Sequence, residues 1–158
     1  MQSEMLRKAR LYEEENRPKA AGSLPVYHLT GGIGWINDPN GFSSYRGEVH
    51  CFFQYYPYRT LWGPMHWGHA KTSDFIRWEF LPAAMAPDAA FDRDGCFSGS
   101  AVELPDGRQL LLYTGVIKEL QADGSYTEYE TQCAAVGDGI DYEKTAFNPV
   151  IGADALPE

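Results

Sequence analysis

No run of apolar residues in this chain approaches the ~20 needed to span a membrane. The opening stretch, MQSEMLRKARLYEEENRPK, lacks the apolar core of about 7–15 residues that marks a signal peptide. Basic residues are scarce, 13 against 22 acidic, for a formal net charge of −9. That balance excludes a nucleic-acid partner or an anionic membrane surface as the natural target. Cysteine is also sparse: Cys51, Cys96 and Cys133 make an odd count with no Cys-x-x-Cys spacing. A disulfide framework or a cysteine metal site is therefore not expected, and a reducing, cytoplasmic setting fits best.

Aromatic residues make up 14% of the 158 residues, with 16 glycines and 10 prolines. Such a composition suits short strands and tight turns rather than a helical bundle. The exception is the N-terminus. Residues 3–16 read as a charged surface helix that Ser3 would cap and Pro18 would stop. Residues 1–24 form this helix and a linker, and 25–158 form an all-β domain. Turn signals there separate eight runs: PVYHL, GFSSYR, VHCFFQYY, WGHAKTS, RWEFL, GSAVEL, QLLLYTGV and TQCAAVG.

The runs repeat. GFSSYRGEVHCFFQYY and GSAVELPDGRQLLLYTG share one plan, with Gly47 and Gly107 at the equivalent turn. SDFIRWEF and GDGIDYEK align at a constant offset, pairing Asp74 with Asp138, Ile76 with Ile140, Trp78 with Tyr142 and Glu79 with Glu143. A repeat of roughly 60 residues holding four short antiparallel strands has the size of a β-propeller blade with long connections. About two such units fit in the chain.

GWINDPNGF, residues 34–42, joins bulky apolar residues to an Asn-Asp pair and a Pro-Asn-Gly turn signal. Asp38 precedes a proline and is pushed toward extended geometry. The expectation is a carboxylate at the mouth of a strand, held by a stiff turn.

WINDPNG, FFQYYPYRTLWGPMHWGHA (52–70), SDFIRW (73–78) and DRDGCFSGSAV (92–102) occur in one order with compatible gaps. Together they resemble glycoside hydrolase family 32, the invertases, fructanases and sucrose-6-phosphate hydrolases, from about Pro25 onward. The resemblance implies a five-bladed propeller, of which about two blades are present here. It implies retaining hydrolysis of terminal fructosyl units with no metal or cofactor. Asp38 matches the family's nucleophile and Asn37 a substrate contact. Gln54, Trp62, Phe97 and Ser98 match the lining of the fructose pocket.

These residue types suit that chemistry. A retaining glycosidase needs two carboxylic groups about 5–5.5 Å apart. Gln54 offers both donor and acceptor to sugar hydroxyls, and Trp62 and Phe97 can cover the apolar face of a furanose. Read plainly, single aromatics of this kind also serve as core. His66 and His69 read as structural, Asp92 and Asp94 as part of a turn, and Glu128 and Glu130 as a solvated strand or loop.

The chain departs from the family in having no Arg-Asp-Pro and no Glu-Cys sequence, the motifs carrying its other two carboxylates. The expectation is thus a β-fructofuranosidase segment that holds the nucleophile half of a site for a small carbohydrate. Its unfinished propeller edge is expected to promote self-association. Two rivals remain: a non-catalytic sucrose- or fructan-binding module, and a related furanosidase such as an arabinanase. Sucrose, sucrose 6-phosphate and fructans are not separated, since no basic phosphate pocket can be assigned.

Overall fold

The computed structural model describes residues 2–155. It holds one α-helix, α1 (Glu4–Ala20), two single-turn 3-10 helices (Ala21–Ser23 and Ala153–Ala155) and eight strands: β1 (Trp35–Tyr45), β2 (Glu48–Tyr56), β3 (His66–Thr72), β4 (Glu79–Met85), β5 (Gly95–Glu103), β6 (Gln109–Leu120), β7 (Tyr126–Gly137) and β8 (Tyr142–Lys144). They form two four-stranded antiparallel meanders, β1-β2-β3-β4 and β5-β6-β7-β8. No helix among the described residues is long and apolar enough to cross a membrane.

The repeat seen in the sequence has a structural counterpart. Asp74 Oδ1 accepts the backbone N–H groups of Ile76 and Arg77 at 2.9 and 2.7 Å. Asp138 Oδ1 accepts those of Ile140 and Asp141 at 3.0 and 2.9 Å. The same side-chain-capped turn therefore leads into the last strand of each sheet. Backbone N–H groups stabilise both carboxylates, holding each below the usual aspartate range.

Three expectations need correction. PVYHL is not a strand: Val26 and Tyr27 are exposed and no neighbouring strand offers the segment a ladder. The eighth strand is instead the short β8, which pairs with the end of β7. The helix passes Pro18 and ends at Ala20. A proline so near the end removes a single hydrogen bond, to the Glu14 carbonyl, and leaves the earlier turns intact. Pro39-Asn40-Gly41 does not reverse the chain, because β1 continues through it as a bulged strand. The true corner is Arg46-Gly47, with φ of 49° and 81°, the positive pair that a two-residue hairpin demands.

Ser3 caps α1, its Oγ accepting the Leu6 N–H at 3.1 Å. Leu6, Ala9 and Glu13 fall on the buried face. That face meets β4, the outer edge of its sheet. Glu13 accepts the Ala83 N–H at 2.9 Å, Arg10 donates to the Ala83 carbonyl at 2.9 Å, and Arg17 donates to the Leu81 carbonyl at 3.0 Å. Helix side chains thus occupy backbone groups that an uncovered edge strand would offer to another chain.

The core lies between the sheets. Phe52 and Trp67 from the first meet Leu111, Tyr113, Cys133 and Tyr142 from the second. Asp92 was expected to be a turn residue, and it does sit in the turn before β5, but it is fully buried. It accepts the Tyr113 hydroxyl at 2.7 Å and the Lys144 ammonium at 2.6 Å, so the buried charge is paired as its desolvation requires.

Candidate active site

The first strand of each sheet is bulged. In β1 the pairing steps from Ile36↔Tyr55 to Pro39↔Phe53, so Asn37 and Asp38 span an interval holding one residue too many for its partner. A second bulge follows between Asn40 and Ser43. There Gly41 has φ of 54°, and a Cβ would meet the Phe52 ring at 2.6 Å. In β5 the step from Phe97↔Thr114 to Gly99↔Tyr113 leaves Ser98 as the extra residue. Bulges re-aim side chains out of the alternating pattern. Pro39 fits here because β1 is an edge strand and its missing N–H breaks no central ladder.

These features place all six residues singled out in the sequence along one open depression of about 530 Å³, at the seam of the two sheets. Asp38 is exposed to it, and among the described residues nothing donates to or pairs with its carboxylate. Asn37 Oδ1 accepts the Trp35 indole N–H at 2.9 Å, which leaves its amide nitrogen available. Gln54 is buried and donates Nε2 to the Cys96 carbonyl at 2.9 Å. Trp62, on the β2–β3 loop, meets the Phe97 ring edge-on at 6.3 Å. Trp67 donates its indole N–H to the Phe97 carbonyl at 3.0 Å and so fixes the β5 backbone beside Ser98.

Thr114, Lys118, Glu128 and Glu130 also line the depression. The two glutamates are exposed on β7, as a solvated strand should be, and they also border the site. The signal that places them is the QADGS turn: it folds β6 onto β7 so that Lys118 faces Glu128 and Val116 faces Glu130. The Lys118 ammonium lies 2.7 Å from Glu128 and 5.0 Å from the centre of the Trp62 ring. Its backbone N–H donates to Asp94 at 2.7 Å.

His66 and His69 are not among the residues lining this depression. Both are buried in β3, where His66 Nδ1 donates to the Pro64 carbonyl and His69 shares a 2.9 Å hydrogen bond with His50. Burial pushes the His66 pKa down to about 4 and that of His69 well below the usual histidine value. Among the described residues no group of three or more His, Cys, Asp or Glu could hold a metal ion.

Residues 28–157 match the profile of the glycosyl hydrolases family 32 N-terminal domain. The chain is 48% identical over 142 residues to the sucrose-6-phosphate hydrolase of Zymomonas mobilis, covering 85% of this chain and 27% of that protein. It is 42% identical over 146 residues to the levanase of Bacillus subtilis, covering 89% of this chain and 20% of that protein. Among solved structures, a mutant of the Bombyx mori family 32 β-fructofuranosidase in complex with sucrose superposes with a TM-score of 0.80 at 40% identity, covering 96% of this chain and 32% of that one. The chain thus spans about a quarter of the length of the curated relatives it matches. A profile match of this extent, with relatives this similar, shows that the chain belongs to glycoside hydrolase family 32.

Proposed function

We propose that this chain carries the nucleophile half of a β-fructofuranosidase site, and that its two sheets are the first two blades of a propeller. The observation that carries the reading is the bulge in β1, which turns Asp38 out of the strand into a depression shared with Gln54, Trp62, Phe97 and Ser98. The relatives named above act as fructosyl hydrolases by name, and the superposed Bombyx mori structure holds sucrose.

In this reading the fructofuranosyl ring lies against the surface that Trp62 and Phe97 form together, their rings already in edge-on contact with each other, which supplies apolar cover on one side. The Asn37 amide nitrogen and the Gln54 carbonyl oxygen face its hydroxyls, since the other half of each amide is held by the protein. The unpaired Asp38 carboxylate attacks the anomeric carbon. The glycosidic bond breaks as the fructosyl ester forms, and water then hydrolyses the ester with net retention. The leaving oxygen needs a proton from a second carboxylic group about 5–5.5 Å away. No Arg-Asp-Pro or Glu-Cys sequence supplies one here.

The test is sucrose and levan hydrolysis by the polypeptide as its gene encodes it, with mass spectrometry of the enzyme quenched during turnover. The expected result is a fructosyl adduct on the peptide containing Asp38, with both the adduct and turnover lost in Asp38→Asn. A variant of normal fold that keeps more than a small fraction of the rate overturns the assignment.

A further inference from the structure

The hairpin of β6 and β7 is longer than its sheet. β5 pairs with β6 only from Glu103 to Gly95, opposite Val116, whereas β6 and β7 remain paired on to Leu120↔Tyr126. Beyond Val116 the two strands project as an arm. Its base is pinned by the Lys118 N–H on Asp94. Paired residues share one face of a sheet, so Lys118 with Glu128 and Val116 with Glu130 form a single wall, and that wall borders the depression containing Asp38.

The charges on the wall are unequal. Lys118 is the one cation among the described residues lining the depression, and its charge is already engaged by Glu128 at 2.7 Å and by the Trp62 ring. Glu130 has no ion pair or hydrogen bond among the described residues, and neither does the Asp38 carboxylate. A phosphoryl group entering here would meet net negative charge, and among the described residues lining the depression no guanidinium or unengaged ammonium receives it. A neutral sugar would meet an aromatic face edged by charged donors and acceptors for its hydroxyls.

We infer that the β6–β7 arm is the wall of the leaving-group side, and that Lys118, Glu128 and Glu130 make the site prefer an uncharged glycosyl leaving group over a phosphorylated one. The inference rests on Asp38 as nucleophile. It holds despite the similarity to a protein named sucrose-6-phosphate hydrolase, because the discrimination is set by side chains on the arm.

The experiment measures kcat/KM for sucrose and for sucrose 6-phosphate with the gene-encoded polypeptide at low and high salt. The expected result is a preference for sucrose that shrinks as salt screens the repulsion. Glu128→Gln/Glu130→Gln should raise the relative rate on sucrose 6-phosphate by roughly tenfold, as expected for removing charges at short range. Lys118→Met keeps the stem against Trp62 and should move the ratio the other way, which guards against a variant that merely misfolds. A wild-type preference for sucrose 6-phosphate overturns the inference. So does a sucrose preference that neither variant moves. Hydrolysis of neither sugar removes the Asp38 reading itself, an outcome distinct from activity with the wrong ratio.

Discussion

Gln54 Nε2 lies 2.9 Å from the carbonyl oxygen of Cys96, so a side chain of the first sheet ends on the first strand of the second. The residue that offers its other amide atom to the depression is also a tie across the seam. Both partners are buried. Gln54→Leu strands the Cys96 carbonyl without a donor, at a cost of about 1–3 kcal/mol. Chemical denaturation of the two proteins should show a lower midpoint at an unchanged slope, and an unchanged midpoint would refute the tie. On the proposed function, the same substitution should also raise KM for fructosides.

Gly99 follows the bulge at Ser98, and a Cβ there would sit 1.9 Å from the Leu112 carbonyl oxygen. That neighbour is backbone and cannot rotate away. Gly99→Ala must therefore push β5 from β6 and move Phe97 and Ser98 with it. The expected loss is more than about 2 kcal/mol, within the range of strain at special backbone positions. Gly22→Ala is the control for stability: a Cβ there meets nothing within 4 Å and the backbone is not in the positive-φ region. Equal melting temperatures for the Gly99 variant and wild type would sink the argument.

Much of this was legible in the sequence because it rests on local rules. The matched Asp74 and Asp138 turns, the Arg46-Gly47 corner and the apolar strands each announce themselves within a few residues. The clustering of Asp38 with Gln54 and Phe97 was legible only through the family resemblance, since nothing local brings β1 beside β5. The bulge was misread as a turn, because Pro-Asn-Gly suits either, and the partner strand decides which. Glu128 and Glu130 do lie exposed on a strand, as the sequence suggests, but their place beside Asp38 is not legible, because their face depends on the register of a hairpin whose tip lies several residues away. Asp92 does lie in a turn, as the sequence suggests, but its burial is not legible because its partner Lys144 is far along the chain.

The buried histidines make stability depend on pH. Burial pushes the His66 pKa in the folded protein down to about 4, from an ordinary value near 6.5. Between those values the unfolded chain binds the extra proton, so stability falls as pH drops from about 6.5 toward 4. For His66 alone the full loss is roughly 3 kcal/mol. His69, depressed further by burial and by the neighbouring His50, adds loss in the same direction. Glu13, whose carboxyl burial pushes up, acts in the opposite sense. His66→Gln should flatten the acid limb of a plot of melting temperature against pH. An identical slope in wild type and variant would assign the acid sensitivity to other groups.

The outer face of the second sheet gives the last prediction. Val102, Leu110 and Val136 are paired across β5, β6 and β7, as are Ser100, Leu112 and Ala134 one step along. Paired residues share a face, so Val102, Leu110, Leu112 and Val136 form one apolar surface, with Val102 50% and Leu112 40% exposed. Repeat units of this size ordinarily bury such a face against the next unit, and contiguous exposed apolar patches mark interfaces. The opposite end is better protected, because α1 side chains occupy the backbone edge of β4. The 158-residue chain by itself should therefore associate through the second sheet rather than the first. Light scattering should show a mass above 17.7 kDa that rises with concentration. Leu112→Lys places charges on the face and should restore the monomer, while Leu11→Lys, at an exposed position of α1, should leave association unchanged. A monodisperse wild-type monomer with one cooperative melting transition would show that this face needs no partner.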